Sequence, residues 1–210
     1  MTRITIKGRM PSATPAVALI ILFLACAAAG GTAGGIDTFV AAQSAAIRAN
    51  SPFLLDSALI LTNLGSAPFT LGLGLIGGLI LAARHHFRRA AILIVTVIAE
   101  RLAVEGLKLF FGRARPAFDA NLVHVHNLSF PSGHSANSLT AYLLVACLAA
   151  TGRYRAAAIG VACAITFVVG LTRILIGVHW LSDVVGGWAV GLFAVMLALA
   201  ADRRLGAQEQ

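Results

Sequence analysis

Long stretches without a charged side chain are the feature that most constrains this chain. Residues 57–83 contain no Asp, Glu, Lys or Arg, and several other stretches approach that length. A helix needs about 20 apolar residues to cross the hydrocarbon core of a bilayer. Charged residues make up only 11% of the chain, whereas soluble domains average about 25%. The sequence therefore predicts an all-α integral membrane protein and excludes a disordered chain.

Six membrane crossings are predicted, and we expect them to form one membrane-embedded domain over residues 1–210. They cover residues 16–34, 57–83, 90–111, 133–151, 156–172 and 181–201. Asn63, Gly65 and Pro68 predict a break in the early part of the second crossing. Residues 39–47 are too few to cross a bilayer and leave a surface helix as one option.

Lys and Arg are distributed unevenly between the two sides that six crossings define. One side carries ten of them, at positions 3, 7, 9, 84, 88, 89, 153, 155, 203 and 204. The positive-inside rule assigns that side, with both termini, to the cytoplasm, and a bacterial inner membrane suits such a chain. Because the basic residues flank apolar runs, a nucleic-acid partner is not expected. The first segment also has features of a signal peptide, whose removal would leave the remaining orientation unchanged.

Residues 72–77 match the dinucleotide-binding pattern G-x-G-x-x-G. That pattern requires a preceding strand and a following acidic residue, and neither is predicted here. Gly74 and Gly78 have the spacing that lets membrane helices approach closely, so we interpret the glycines as packing residues.

Ionisable residues gather at the outer ends of the predicted crossings, where they need an explanation. They are Lys108 near the end of the third crossing and Arg115 after it, His134 at the start of the fourth, Arg173 at the end of the fifth, and His179 and Asp183 before and within the sixth. The cations outnumber the carboxylates, which predicts an anionic ligand, and guanidinium groups bind phosphate oxygens well. The segment Pro131-Ser132-Gly133 opens a helix whose free N–H groups favour an anion.

Two histidines supply the groups that phosphoryl transfer needs. His179 and Asp183 are four residues apart, so a helix would place them on one face. This suits a nucleophile or base held by a carboxylate, and His134 could then act as general acid. A structural hydrogen-bonded pair is the alternative, and a zinc site lacks further ligands at suitable spacing.

The motifs resemble the three-part signature of the type-two phosphatidic acid phosphatase superfamily, which also includes vanadium haloperoxidases. They are Lys108-x6-Arg115-Pro116, Pro131-Ser132-Gly133-His134 and Arg173-x5-His179-x3-Asp183. The third motif commonly opens with Ser-Arg, whereas this chain has Thr172, which keeps the hydroxyl.

The resemblance implies a role for each residue. His179 would attack phosphorus and form a phosphohistidine, Asp183 would orient it, and His134 would protonate the leaving group and later activate water. The phosphate oxygens would be held by Lys108, Arg115, Ser132, Gly133 and Arg173. The family works without a metal or another cofactor, and clustered cations would repel a divalent ion.

The function implied is removal of phosphate from a membrane lipid phosphate or diphosphate at the periplasmic face. Undecaprenyl diphosphate is the first candidate substrate, followed by phosphatidylglycerophosphate, phosphatidic acid and lipid A phosphates. A phosphotransferase of the same architecture and a non-enzymatic lipid-phosphate binder or transporter remain alternatives. Haloperoxidase activity is not expected of so small and apolar a chain, and the sequence does not indicate an oligomeric state.

Charged residues inside the third crossing are costly unless they are paired. Glu105 precedes Lys108 by three residues, so the two can pair on one helix face, with Glu100 and Arg101 one turn earlier. The pairing could position Lys108 or only neutralise it. Arg113 is interpreted either as a loop charge near the headgroups or as a further substrate contact.

Overall fold

The computed structural model describes residues 14–30, 35–116 and 128–208, and within these ranges every regular element is a helix. The helices are α1 (Thr14–Ala29), α2 (Ile36–Asn50), α3 (Pro52–Leu61), α4 (Ala67–Ala83), α5 (Phe87–Phe111), α6 (Gly133–Ala149), α7 (Tyr154–Leu175) and α8 (Leu181–Gln208). The all-α prediction is confirmed for this part of the chain. The expected end of the first crossing and the N-terminal basic residues lie outside the described residues.

Helix α6 packs against α4, α5, α7 and α8 and so joins the halves of the bundle. Leu81, Leu93, Leu144 and Val195 form a buried core between α4, α5, α6 and α8. Helices α6 and α8 approach closely at Gly187, where an added Cβ would lie 2.5 Å from the carbonyl oxygen of Ser132. This contact brings the start of α6 against the first turns of α8.

Gly74, Gly77 and Gly78 of α4 act as packing residues, as the spacing of Gly74 and Gly78 predicts, whereas nothing lies within 4 Å of a Cβ at Gly72. A Cβ at Gly78 would lie 2.6 Å from a methyl carbon of Ile94, and one at Gly77 would lie 3.0 Å from Leu93. Side chains of α5 therefore occupy the surface that these glycines leave open. No strand precedes residues 72–77 in the described chain, so the dinucleotide pattern has no structural support here.

Two of the described helices, α7 and α8, are each long and apolar enough to cross a membrane. The pair Pro52–Gly65 and Ala67–Ala83, bent by 44° at its break, is a third candidate crossing. The break lies at a 3₁₀ turn, Thr62–Gly65, which is where the sequence predicts it. Each of the six predicted crossings contains helical residues, and the second contains the end of α3 as well as α4. Helices α1 and α6 are short, and α5 carries several charges. The number of crossings stays a prediction.

Helix α2 contains the segment 39–47, which the sequence leaves undecided. It packs against the end of α7 and the start of α8. Its Asp37 accepts a hydrogen bond of 2.9 Å from the N–H of Ser182, in the first turn of α8. Its Arg48 donates 2.7 Å to the carbonyl oxygen of Leu175, at the end of α7. Both side chains are buried. Helix α2 thus anchors the turn that connects α7 and α8.

Candidate active site

The segments that carry the three sequence motifs meet at one end of the bundle. The N–H of Ser132, just before α6, donates a 2.9 Å hydrogen bond to the carbonyl oxygen of Asp183 in α8. The N–H of Ser129 donates 2.8 Å to the carbonyl oxygen of Arg113, which follows α5. Backbone hydrogen bonds therefore tie the start of α6 to both α5 and α8.

His179 is buried between a carboxylate and a guanidinium. Its Nδ1 lies 3.3 Å from Oδ2 of Asp183, and its Nε2 lies 3.2 Å from Nη1 of Arg115. A carboxylate beside Nδ1 favours the tautomer with the proton on Nδ1, which leaves the lone pair on Nε2. Burial and the positive charges of Arg115 and Arg173 hold the pKa of His179 well below its ordinary value. The imidazole is thus held neutral, with its Nε2 facing Arg115.

Asp183 is fully buried and its carboxylate is held by two further groups. Oδ2 accepts a 2.9 Å hydrogen bond from the N–H of Trp180, and Oδ1 accepts 2.7 Å from Nη1 of Arg113. Arg113 also donates to the carbonyl oxygens of Cys26 and Ala27, in the last turn of α1. Arg113 therefore orients Asp183 and ties α1 to the site. The sequence predicts neither contact, since it offers only a loop charge near the headgroups or a substrate contact.

Arg173 is buried at the end of α7 and reaches the break between α3 and α4. Its Nη1 donates a 2.8 Å hydrogen bond to Oγ1 of Thr62 in the 3₁₀ turn. The same turn packs on His134, because a Cβ at Gly65 would lie 3.0 Å from the His134 carbonyl oxygen. The break in the second predicted crossing is therefore one wall of the site.

Lys108 and Arg101 flank the first residue of α6. A Cβ built on Gly133 would lie 3.4 Å from Nζ of Lys108 and 3.6 Å from Nη1 of Arg101. Oε1 of Glu105 lies 3.1 Å from the Lys108 ammonium and 3.0 Å from the Arg101 guanidinium. The predicted pairing of Glu105 with Lys108 is confirmed, and Arg101 shares the same oxygen.

His134 occupies the first turn of α6 and is half-buried. The positive charges of Arg173, Lys108 and Arg115 lie close enough to act on its imidazole, and so does His179. The two histidines predicted to take part in proton and phosphoryl transfer thus share one electrostatic environment. This environment is the cluster of cations that the sequence predicts.

Ser132 is the N-cap of α6 and is fully buried. Its Oγ accepts from the N–H of Ser135 at 3.5 Å and lies 3.0 Å from the Ser135 hydroxyl. Since its own N–H is used by Asp183, Ser132 shapes the helix terminus, and its predicted contact with phosphate oxygens stays a prediction. Gly133 lies beside Lys108 and Arg101.

A pocket with this charge pattern suits a small polyanion. The charges of Lys108, Arg115 and Arg173 act on both histidines. Asp183 pairs with Arg113, and Glu105 is shared between Arg101 and Lys108. Guanidinium and ammonium groups at fixed positions stabilise the charge that spreads over phosphoryl oxygens in a transition state. In the part of the chain that the structure describes, no three His, Cys, Asp or Glu side chains are grouped to hold a metal ion.

A comparison with models of protein families identifies the superfamily of the chain. The model of the PAP2 superfamily matches residues 89–206, which is more than half of the chain. The chain belongs to the PAP2 superfamily. The match spans all three motifs, from Lys108 to Asp183, and confirms the resemblance inferred from them.

Individual PAP2 proteins are similar over most of the chain. Phosphatidylglycerophosphatase B of Bacillus subtilis (strain 168) is 32% identical over 197 residues, covering 90% of this chain and 95% of that protein. A crystal structure described as the first transmembrane PAP2-type phosphatidylglycerolphosphate phosphatase from Bacillus subtilis superposes with a TM-score of 0.83. It is 31% identical and covers 92% of this chain and 98% of that chain. Lipid A 1-phosphatase of Rhizobium etli is 37% identical over 123 residues, covering 54% of this chain and 50% of that protein.

Three residues of this PAP2 site are not among those that the sequence motifs predict. Thr62 is 111 positions from its partner Arg173, and only the predicted break in the second crossing pointed to that region. Arg113 is visible in the sequence as an arginine two residues before Arg115. Its position in the site depends on hydrogen bonds to carbonyl oxygens of α1, which the sequence does not show. The sequence shows Arg101 as a charge within a crossing, and no pattern links it to Gly133.

Proposed function

We propose that this PAP2 protein is a membrane-embedded lipid phosphatase that removes the terminal phosphate of phosphatidylglycerophosphate. The observation that carries the proposal is the position of His179, whose Nδ1 is held by Asp183 and whose Nε2 faces Arg115. A nucleophile beside a fixed cation is suited to attack a group that brings negative charge. The whole chain acts as one membrane domain in this proposal.

In the first step, Nε2 of His179 attacks the phosphorus and the bond from phosphorus to the ester oxygen breaks. His134 gives its proton to the leaving oxygen, so the lipid departs as an alcohol. Arg115, Arg173 and Lys108 neutralise the three phosphoryl oxygens as charge spreads over them. The N–H of Gly133 joins them, since the first N–H groups of a helix have no partner within it.

In the second step, water attacks the phosphorus of the phosphohistidine and the N–P bond breaks. His134, now neutral, accepts a proton from that water. Asp183 stabilises the imidazole by accepting from Nδ1 throughout, as a carboxylate does in other histidine-based sites. The products are inorganic phosphate and the free enzyme. Release of inorganic phosphate distinguishes a hydrolase from a phosphotransferase, which would pass the phosphoryl group to another lipid.

Phosphatidylglycerophosphate is favoured because relatives covering nine-tenths of this chain are named for it. Lipid A phosphate is a second candidate, supported by a relative that matches about half of the chain. Undecaprenyl diphosphate, the first candidate from the sequence, is placed after these two. All three substrates present a phosphate at the bilayer surface while their tails stay in the membrane.

We further propose six crossings, with both termini cytoplasmic and the site at the periplasmic face of the inner membrane. The support is the excess of Lys and Arg on one side of the predicted crossings, to which Arg88 and Arg89 at the start of α5 belong. Asp202, near the end of α8, pairs with the two arginines at 3.3 Å, as expected if α8 ends at the cytoplasmic side. Labelling of single cysteines at positions 153 and 128 from either side of the membrane tests this orientation.

Phosphate release by the purified protein tests the proposed activity. We expect release from phosphatidylglycerophosphate with a chelator present, because the cations of the site would do the work of a metal. His179→Ala should abolish release, whereas His86→Ala, at an exposed position before α5, should leave it unchanged. Equal release by wild type and His179→Ala would overturn the mechanism.

A further inference from the structure

We propose that Arg101 forms a second anion subsite on the tail side of the catalytic pocket, which takes the second phosphate of a lipid that carries two. Such lipids include those with a phosphodiester between the terminal phosphate and the tails, and those with a diphosphate. The inference rests on the proposed function and deepens it, because it names the substrate feature that this pocket selects.

The Arg101 guanidinium lies beside the first residue of α6. Nη1 of Arg101 lies 3.6 Å from the point where a Cβ of Gly133 would stand, and Nζ of Lys108 lies 3.4 Å from the same point. Two cations therefore lie beside one residue that has no side chain, at the first turn of α6. An anion held at this helix terminus by Lys108 would have the Arg101 guanidinium as its neighbour, within reach of a second anionic group of the same ligand.

Glu105 holds the Arg101 guanidinium in place, and part of the Arg101 side chain stays exposed. Its Nη1 lies 3.0 Å from Oε1 of Glu105, and the same oxygen lies 3.1 Å from Nζ of Lys108. One carboxylate thus fixes two cations, and the three residues keep a net positive charge. The Arg101 side chain is 32% exposed, and a guanidinium has five N–H donors, so donors remain for a ligand.

Arg101 belongs to a deeper turn of α5 in the bilayer than Lys108 does. The backbone of Arg101 lies seven residues before that of Lys108, about 10 Å of helix rise closer to the middle of the bilayer in the proposed orientation. The side chain of Arg101 reaches back to the Glu105 oxygen that Lys108 also contacts. A lipid whose terminal phosphate lies at His179 places any second phosphate between that point and its tails. Arg101 lies on this side of Lys108. A lipid with a single phosphate has no charged group there.

The test compares two lipids with identical short acyl chains, phosphatidylglycerophosphate and phosphatidic acid, in the same detergent. Arg101→Gln should raise KM for phosphatidylglycerophosphate about tenfold, since a charge-assisted hydrogen bond is lost. KM for phosphatidic acid should change less than about threefold, because that lipid reports only on the catalytic pocket. Arg153→Gln, at an exposed position beyond α6, is the control and should change neither value.

A double variant separates a ligand contact from simple neutralisation of Glu105. Arg101→Gln with Glu105→Gln keeps the summed charge of the pair, yet it should retain the tenfold rise for phosphatidylglycerophosphate relative to phosphatidic acid. Recovery of the wild-type ratio in the double variant would overturn the subsite. Equal KM changes for the two lipids in Arg101→Gln, or no change for either, would also overturn it.

Binding to the His179→Ala variant gives the same comparison without turnover. Adding Arg101→Gln to it should weaken binding of phosphatidylglycerophosphate about tenfold relative to phosphatidic acid. Equal weakening would contradict the subsite even if the protein is a phosphatase. Failure of the wild-type protein to release phosphate from either lipid would contradict the proposed function, and binding would then decide the subsite.

Discussion

Arg113 and Asp183 form an ion pair of 2.7 Å in the interior of the protein, with Asp183 fully buried. The pair uses the carboxylate oxygen Oδ1, whereas His179 lies against Oδ2. The orientation of the imidazole therefore depends on a residue that the first signature motif leaves unspecified, between Lys108 and Arg115. The same guanidinium lies 4.1 Å from the centre of the Phe130 ring, so its position is fixed from several sides.

Replacing Arg113 should damage both stability and activity. Arg113→Ala leaves a buried carboxylate without its cation, which costs about 3–5 kcal/mol. We expect a clear drop in the melting temperature in detergent and a lower kcat, with a smaller change in KM. Arg113→Lys keeps the charge and should recover part of both losses. An unchanged melting temperature and kcat in Arg113→Ala would contradict this role.

Thr62 should matter for substrate binding through Arg173. Thr62→Val removes the acceptor of a 2.8 Å hydrogen bond from a buried guanidinium, and within the described chain Nε of that arginine already has no acceptor. A hydrogen bond to a charged group contributes about 1.5–3 kcal/mol, so KM should rise about tenfold. Thr62→Ser keeps the hydroxyl and should stay near the wild-type value. Steady-state kinetics measure KM for both variants. Equal KM values for Thr62→Val and Thr62→Ser would contradict the role of Thr62 in holding Arg173.

Gly65 should be needed for the position of His134. An alanine there would overlap the Val169 side chain and place its Cβ 3.0 Å from the His134 carbonyl oxygen. Overpacking of this kind costs about 1–3 kcal/mol, and kcat should fall about tenfold as the imidazole is displaced. Gly72→Ala is a matched control, because nothing lies within 4 Å of a Cβ at that position. Equal activities of the two alanine variants would count against the displacement.

The acid limb of the pH profile should report on His179. Burial and the neighbouring charges of Arg115 and Arg173 lower its pKa below the ordinary value, so the neutral nucleophile persists below about pH 6.5. Arg115→Gln removes one positive charge, which raises the pKa and moves the acid limb of kcat/KM to higher pH. Arg115→Lys keeps that charge and should move the limb less. Profiles between about pH 4 and 8 test this, and a limb that moves to lower pH in Arg115→Gln would contradict it.

The helices and the convergence of the motifs could be predicted because both depend on local patterns. Uncharged stretches indicate helices in a bilayer, and polar residues at their ends indicate a shared site. Lys108 and Glu105 illustrate this, since their pairing follows from a spacing of three residues within one helix.

The remaining features depend on contacts between segments distant in the sequence. Thr62 meets Arg173 only because the 3₁₀ turn packs against α7, and no local pattern encodes that pairing. Helix α2 could not be assigned because its Asp37 and Arg48 resemble solvent-exposed charges in a short segment. Both are buried by the backbone groups that they satisfy at the ends of α7 and α8.

Trapping of the phosphorylated enzyme tests the central claim most directly. The protein is mixed with lipid labelled in its terminal phosphate and quenched in alkali, in which phosphohistidine survives but phosphoserine does not. We expect label on wild type, more on His134→Ala because activation of water is slowed, and none on His179→Ala. Label retained by His179→Ala, or absent from both wild type and His134→Ala while phosphate is being released, would contradict nucleophilic attack by His179.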